Sequence, residues 1–433
     1  YIPKSLVLKE VKNIEIGRKF SVYKNPDQEI KDIEKLCEEK FNQVGTFAEE
    51  QKIAVKCMTE NRGMALINGF PGSGKSFIMG HSIDLMSKAD DKMKFFILSP
   101  TGKVAANAYA DMKGFGLEEK VECMTIHSFL NAVKKGKIQL DPKTKIFVDE
   151  AGMISTKLMN GLLTEMDKAR STGVFIGDVA QISSISGSNT FREFFEDPII
   201  SENTLFLKEI TRQKDKVQLE IAQAVSFASA LSEVKQNDLK EQKAQMKKYM
   251  ETGKHVDDAW KLMDQAGRIV RFKTTEEKEQ WLADKITTDP ADWKDKSIFC
   301  STNNTNKRMN DKIQSMRISS GELKTDKFVE NRKRRFYEGD RVILLRNTKE
   351  KEYRYSNGDF GEIKKIHDDG SITLELDNGD VFQTDKFSNM DLSYVFSVIK
   401  SQGSTFGKGQ KLKKESSSEV NVILMLRFHK DRK

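Results

Sequence analysis

The sequence predicts an α/β protein on a parallel, doubly wound sheet, followed by a second α/β region that carries a small all-β insertion. Three observations lead there. From Thr46 to Lys214 short apolar runs alternate with helix-forming stretches, the pattern of strands buried on both faces and joined by crossover helices. A second apolar run, KSIFCSTNN, opens the later half and resumes at LSYVFSVIKSQGST. Between those two, residues 338–390 alternate with period two and are broken by N-G and D-G turns, as in a small antiparallel barrel.

Taken in order, residues 1–45 are polar, with mixed alternation in SLVLKEV and KFSVYK and a helix expected from Asp27 to Phe41; this segment reads as an accessory lead-in. Residues 46–214 hold the strand–loop–helix repeats: MALING before a Gly-rich turn, KFFILSP before TGKVAANAYADM, then KIFVDEA and GVFIGD. Residues 215–295 are helix-forming and highly charged, a connecting layer whose charge runs are most simply solvated faces. The second α/β region takes residues 296–337 and 391–433, around the insertion at 338–390.

Composition narrows the class. The chain has 433 residues, 37% hydrophobic and 32% charged, room for several domains with buried cores and unlike a disordered chain. No apolar run approaches the roughly 20 residues that span a bilayer, and no signal peptide is seen, so a soluble, intracellular chain of cytoplasm or nucleus is expected, without a membrane partner. Cys37, Cys57, Cys123 and Cys300 lie too far apart for a zinc pattern or a disulfide framework. Formal net charge is +8, and residues 407–433 carry much of the excess. A polyanion partner is therefore permitted, through a local patch on a nearly balanced body.

The sharpest local signal is GFPGSGKS at residues 69–76, directly after an apolar strand and before a helix. Gly69, Gly72 and Gly74 let successive backbone N–H groups wrap phosphates at a helix N-terminus; Lys75 reaches the β and γ oxygens, and Ser76 ligates Mg²⁺. Such a loop needs a metal-holding acid and a water-positioning base on a neighbouring strand end. KIFVDEAGM offers Asp149 for Mg²⁺ and Glu150 for water. In FIGDVAQISSISG, Asp178 and Gln181 follow another strand, and an amide there can sense the γ-phosphate.

With these residues in hand, the sequence resembles superfamily 1 helicases of the RecD/Dda-like branch, which move 5′ to 3′. TFAEEQKIAV looks like an adenine-binding Q motif, putting Gln51 on the base. SPTGKVAANA resembles the next motif, whose Thr101, Gly102 and Lys103 would touch the sugar–phosphate backbone, and TIHSFL resembles the Thr-x-His-Ser segment of this branch. LKEITRQ resembles the motif whose Arg, here Arg212, approaches the γ-phosphate. STNNTNKRMN is similar to the segment opening a second motor domain, GDRVILL…NGDFGEI to an inserted SH3-like barrel, and SVIKSQGST to the strand-binding motif V.

The resemblance implies two tandem RecA-like motor domains, ATP and Mg²⁺ as ligands, and a monomeric 5′→3′ helicase or translocase on single-stranded DNA, used in replication, recombination or repair alongside such proteins. Backbone donors would be Lys103, Thr125, His127, Asn303, Lys400 and Gln402, with Phe129 a stacking platform; for His127 and Phe129 ordinary packing is the competing reading. For the run Arg332, Lys333, Arg334 and Arg335, a solvated turn is the simpler account. Departures from the family pattern are Ile399 in place of His in motif V, Ser184 in place of Pro, and only NAVKKGKIQLDP as room for a strand-separating hairpin. No closing Arg motif follows Ser404, and Arg427 is a distant candidate. Two alternatives stay open: an RNA helicase, and an ATP-regulated nucleic-acid-binding protein with impaired turnover.

Overall fold

The computed structural model describes residues 3–70, 72–179, 190–210, 216–225, 241–242, 244–245, 248, 252–288, 297–300, 302–331, 334–346, 355, 357–377, 379–385, 387–397 and 422–425. Two compact units share the chain, Tyr1–Ile269 and Val270–Lys433.

The first unit opens with three helices, α1 (Lys4–Val22), α2 (Ile33–Val44) and α3 (Glu49–Thr59), and then alternates: β1 (Met64–Gly69), α4 (Lys75–Ala89), β2 (Lys94–Ser99), α5 (Gly102–Gly114), β3 (Val121–Thr125), α6 (Ile126–Lys134), β4 (Thr144–Val148), α7 (Thr156–Ala169), β5 (Thr172–Gly177), α8 (Thr190–Glu196), β6 (Thr204–Leu207) and α9 (Lys216–Val225). Its sheet is six-stranded in the order β3-β2-β4-β5-β1-β6, and every pair is parallel. β1, β4 and β5 are buried from end to end, because helices cover both faces. Two apolar clusters fill those faces, one around Leu66, Phe147's neighbours Ile146 and Val148, and Phe175, the other around Ile67, Ile97 and Ile176.

The mixed alternation at the amino end is a helix. Asn13, Ile16, Gly17 and Phe20 are its buried residues, spaced three and four apart as one helical face. Ile16 and Phe20 join the cluster that holds Phe175, so α1 is part of this unit's core and not a lead-in lying outside it. Asn13 Nδ2 donates to the Thr156 carbonyl at 3.2 Å, and a side chain at Gly17 would collide with Ile200 Cδ1 at 2.7 Å.

The second unit has a parallel sheet, β15-β7-β16, of β7 (Ser297–Cys300), β15 (Phe396–Ser397) and β16 (Val422–Met425). Its antiparallel sheet, in the order β13-β12-β11-β10-β14, comprises β10 (Arg341–Leu344), β11 (Phe360–Ile366), β12 (Ile372–Leu376), β13 (Val381–Thr384) and β14 (Met390–Leu392). β12 and β13 alternate between covered and open positions, as the period-two sequence requires. A hairpin, β8 (Val329–Asn331) with β9 (Arg334–Phe336), adds Val329 and Phe336 to the core of that sheet. A buried polar bracket ties the antiparallel sheet to the helix Asn303–Ser319: Asp340 accepts from Gln314 Nε2 and the Tyr337 N–H, each at 2.7 Å, and from the Tyr394 hydroxyl. No helix among the described residues is long and apolar enough to cross a membrane.

Candidate nucleotide and nucleic-acid site

In a parallel sheet every strand delivers its following loop to the same edge, which is where ligands collect. Here the carboxyl edge presents, in spatial order, Thr125 after β3, Thr101 after β2, Asp149 and Glu150 after β4, Asp178 after β5, the Gly69–Ser76 loop after β1, and Lys208 and Glu209 after β6.

The loop after β1 is shaped by its glycines. Gly72 (φ 83°) and Gly74 (φ 86°) are left-handed, a conformation costly to other residues. A Cβ at Gly74 would also meet Gln51 Nε2 at 2.5 Å. Lys75 folds back over the loop, its Nζ donating to the Gly69 carbonyl at 2.9 Å. Ser76 lies in the first turn of α4, where unpaired N–H groups and the helix dipole favour an anion. The buried Ser73 hydroxyl and Asn68 Nδ2 have no hydrogen-bond partner. Orphaned donors in and beside a glycine-shaped loop, with a lysine folded over it, fit a bound nucleotide.

Asp149 and Glu150 end β4 as the sequence predicts. The Asp149 N–H donates to the Leu98 carbonyl at 2.9 Å, and the Glu150 N–H to Asp149 Oδ1 at 3.0 Å. Burial, together with the Glu150 carboxylate beside it, pushes Asp149 up to about 6, against the pull of Lys75. A buried carboxylate with a second carboxylate beside it is suited to a cation that balances both. Glu150 sits at φ 53°, a strained conformation for a non-glycine residue of the kind that collects at working sites. Gly177 lets β5 approach this turn, since a Cβ there would stand 3.0 Å from the Gly152 nitrogen. Asn68 Oδ1 accepts the Val179 N–H at 2.9 Å, which links the ends of β1 and β5. Among the described residues no cluster of three His, Cys, Asp or Glu side chains could hold a metal unaided, so a cation here would need the phosphates as co-ligands.

At the far side of the same edge, Thr101 caps α5 by accepting the Val104 N–H at 3.4 Å, and Thr125 caps α6 by accepting the Ser128 N–H at 3.2 Å. Strand pairing places Ser99 beside Thr125, so two helix N-termini sit side by side. Gly102 and Lys103 open α5, and His127 is exposed in the first turn of α6. The second unit repeats the device: Thr302 caps the helix that starts at Asn303, accepting the Thr305 N–H at 3.1 Å, and Asn303 is exposed.

Phe129, the hairpin segment and Arg334 differ from the sequence expectations. Phe129 is completely buried and packs edge-on against Phe96 at 5.2 Å, so it is a core residue and no base can stack on it. Its spacing of three from buried Ile126 on α6 is the signal that could have shown this. Gln51, expected at the adenine, also holds the phosphate loop: Nε2 donates to the Ser73 carbonyl and Oε1 accepts the Ala48 N–H, both at 3.1 Å. The presumed hairpin segment is the end of α6 followed by a turn whose Ile138 and Leu140 pack on the core. In the basic run, Arg334 is mostly covered and paired with Asp311 and Asp391. Gln181, Arg212, Lys400 and Gln402 lie outside the described residues, as do Ser184, Arg332, Lys333, Ile399 and Arg427.

A family model described as an AAA domain matches residues 46–274. The conjugal transfer protein TraA of Agrobacterium fabrum is 23% identical over 409 residues, 90% of this chain and 32% of that protein. A probable TraA of Sinorhizobium fredii is 23% identical over 405 residues, 92% and 33%. The chain therefore spans about a third of the length of these relatives. Among solved structures, the Pif1 helicase of Candida albicans shares 16% identity with a TM-score of 0.45, covering 83% of this chain and 86% of that one. Pif1 of a Bacteroides species, solved with ADP-AlF4, shares 14% with a TM-score of 0.39, covering 83% and 84%.

Proposed function

Because the chain belongs to this AAA-domain family, we propose that it is a superfamily 1 helicase of the Pif1/RecD-like type that hydrolyses ATP to move 5′ to 3′ along single-stranded DNA. The observation that carries this reading is the shared sheet edge. Phosphate-loop groups stand at β1, the acid pair at β4, and the two Thr-capped helix ends at β2 and β3. β3 and β1 are four strand spacings apart, about 19 Å, far enough for separate ligands and near enough for one rigid sheet to relate them.

Lys75 leaves the Gly69 carbonyl to pair with the β and γ oxygens, while the loop N–H groups and the first turn of α4 take the remaining charge. Ser76 and Asp149 would hold Mg²⁺, which when bound neutralises phosphate charge and fixes the geometry of the triphosphate. Glu150 orients the attacking water and accepts its proton. Gln181 and Arg212 keep their assigned parts as reporters of the γ-phosphate.

On the DNA side, the helix ends at Thr101 and Thr125 offer backbone N–H groups to successive phosphates, with Lys103 and His127 beside them. Asn303 offers the same contact in the second unit, and Lys400 and Gln402 extend it. Such contacts grip the strand without reading bases, as a motor requires. The parallel strands of the second unit are read as a second RecA-like motor domain and its antiparallel sheet as an SH3-like barrel, in a monomer that serves replication, recombination or repair.

The test is ATP hydrolysis with and without single-stranded DNA. Lys75→Ala should abolish turnover and weaken nucleotide binding, whereas Glu150→Gln should bind ATP and fail to cleave it. Full activity in Glu150→Gln would remove that residue from its role.

A further inference from the structure

Gln51 has a neighbour whose contact falls on a different element. Glu50 Oε1 accepts the Glu209 N–H at 2.6 Å, and the Lys208 N–H also faces this carboxylate. Carboxylate-to-amide bonds of this kind are among the stronger ones in proteins. Lys208 and Glu209 directly follow β6, whose last residue, Leu207, pairs with Gly69 at the start of the phosphate loop. Phe70 N–H donates to the Leu207 carbonyl at 3.3 Å, and Gln51 Nε2 donates to the Ser73 carbonyl.

These contacts close a ring. The first turn of α3 holds the phosphate loop through Gln51 and the exit of β6 through Glu50, and the loop holds β6 directly through Phe70. Arg212 lies three residues beyond Glu209 in the sequence. We infer that Glu50 is a positioning residue: it makes the first turn of α3 a bracket through which a change in the phosphate loop is transmitted to the chain leaving β6. Glu50 touches no phosphate in this scheme and acts only through the Lys208–Glu209 backbone. The inference rests on the nucleotide-binding reading of residues 69–76.

Three substitutions separate reach from charge. Glu50→Asp keeps the charge and withdraws the acceptor by one methylene; Glu50→Gln keeps the reach and an accepting oxygen without the charge; Glu50→Ala removes both. Amide hydrogen exchange is followed at residues 204–210 and 69–76, with and without ADP. Without nucleotide, Glu50→Asp and Glu50→Ala should speed exchange at Lys208 and Glu209 by about ten-fold or more, the loss expected for one charge-assisted bond, while Glu50→Gln, which keeps a neutral bond, should fall between these and the parent.

With ADP, the parent should gain protection at both segments, and Glu50→Asp at residues 69–76 alone. In turnover, Glu50→Asp should lower kcat by about ten-fold with KM for ATP little changed, and Glu50→Gln should restore most of kcat. Equal exchange at Glu209 in parent and Glu50→Asp, or ADP protection that still reaches residues 207–210 in Glu50→Asp, would overturn the inference. A parent that neither binds ADP nor hydrolyses ATP would defeat the functional reading instead, while the nucleotide-free exchange would still decide whether the bracket holds.

Discussion

Gly74→Ala perturbs the nucleotide site by an amount that can be worked out. Gly74 stands at φ 86°, where a residue with a Cβ is disfavoured by about 1–2 kcal/mol. The new methyl carbon would lie 2.5 Å from Gln51 Nε2, so the amide must swing away. That swing gives up its bond to the Ser73 carbonyl, a further 0.5–1.5 kcal/mol or so. The two costs sum to about 1.5–3.5 kcal/mol against the loop conformation that receives phosphate, or on the order of 10- to 300-fold in nucleotide affinity at 1.4 kcal/mol per factor of ten. Titration with a fluorescent ADP analogue measures it. Gly116→Ala is the control, since Gly116 is also left-handed (φ 70°) but has nothing within 4 Å of its Cβ position; it should cost stability and leave nucleotide affinity unchanged. Binding by Gly74→Ala within about three-fold of the parent, under 1 kcal/mol, would refute the account of how the loop is held.

Phe129→Ala should destabilise the first unit by about 3–5 kcal/mol, as a large-to-small change in a packed core does, read as a lower thermal midpoint, whereas Phe129→Leu should melt close to the parent and bind single-stranded DNA equally well. A ten-fold loss of DNA affinity in Phe129→Leu without a change in melting would return Phe129 to the strand. His81 is buried among Phe47, Phe77 and Phe115, its Nδ1 is unpartnered, and burial, aided by Lys40, lowers its pKa to about 4 from 6.5. The unfolded chain therefore takes up a proton between pH 6.5 and 4 that the folded chain refuses. The stability involved is present above 6.5 and is lost as pH falls toward 4, by up to about 3 kcal/mol. His81→Phe should flatten that part of the parent's stability curve in denaturant titrations, and an unchanged pH slope would count against it.

What was legible in the sequence was whatever local spacing fixes. A strand, a glycine turn and a lysine at the head of a helix can be read from eight residues at 69–76, and an acid pair after an apolar run from KIFVDEA, because backbone geometry decides those positions. Period-two alternation in β12 and β13 was equally plain. The face of a helix was harder. In α6, Phe129 lies on the covered side with Ile126 while His127 points out, and the TIHSFL motif does not separate the two without helical phase. In α1 the phase was present, in Asn13, Ile16, Gly17 and Phe20, but polar neighbours and local alternation masked it. Contacts between distant segments could not be read at all. Gln51 on Ser73, Glu50 on Glu209 and Asn68 on Val179 join residues that only the sheet order brings together.

The central claim is ATP-driven movement 5′ to 3′ on single-stranded DNA, and partial duplexes with a single tail test it most directly. With ATP and Mg²⁺, a duplex carrying a 5′ tail should be unwound, or cleared of a protein block on that tail, while one carrying only a 3′ tail should persist. Lys75→Ala should leave both untouched. Unwinding that prefers the 3′ tail, in a preparation whose ATPase responds to single-stranded DNA, would contradict the account.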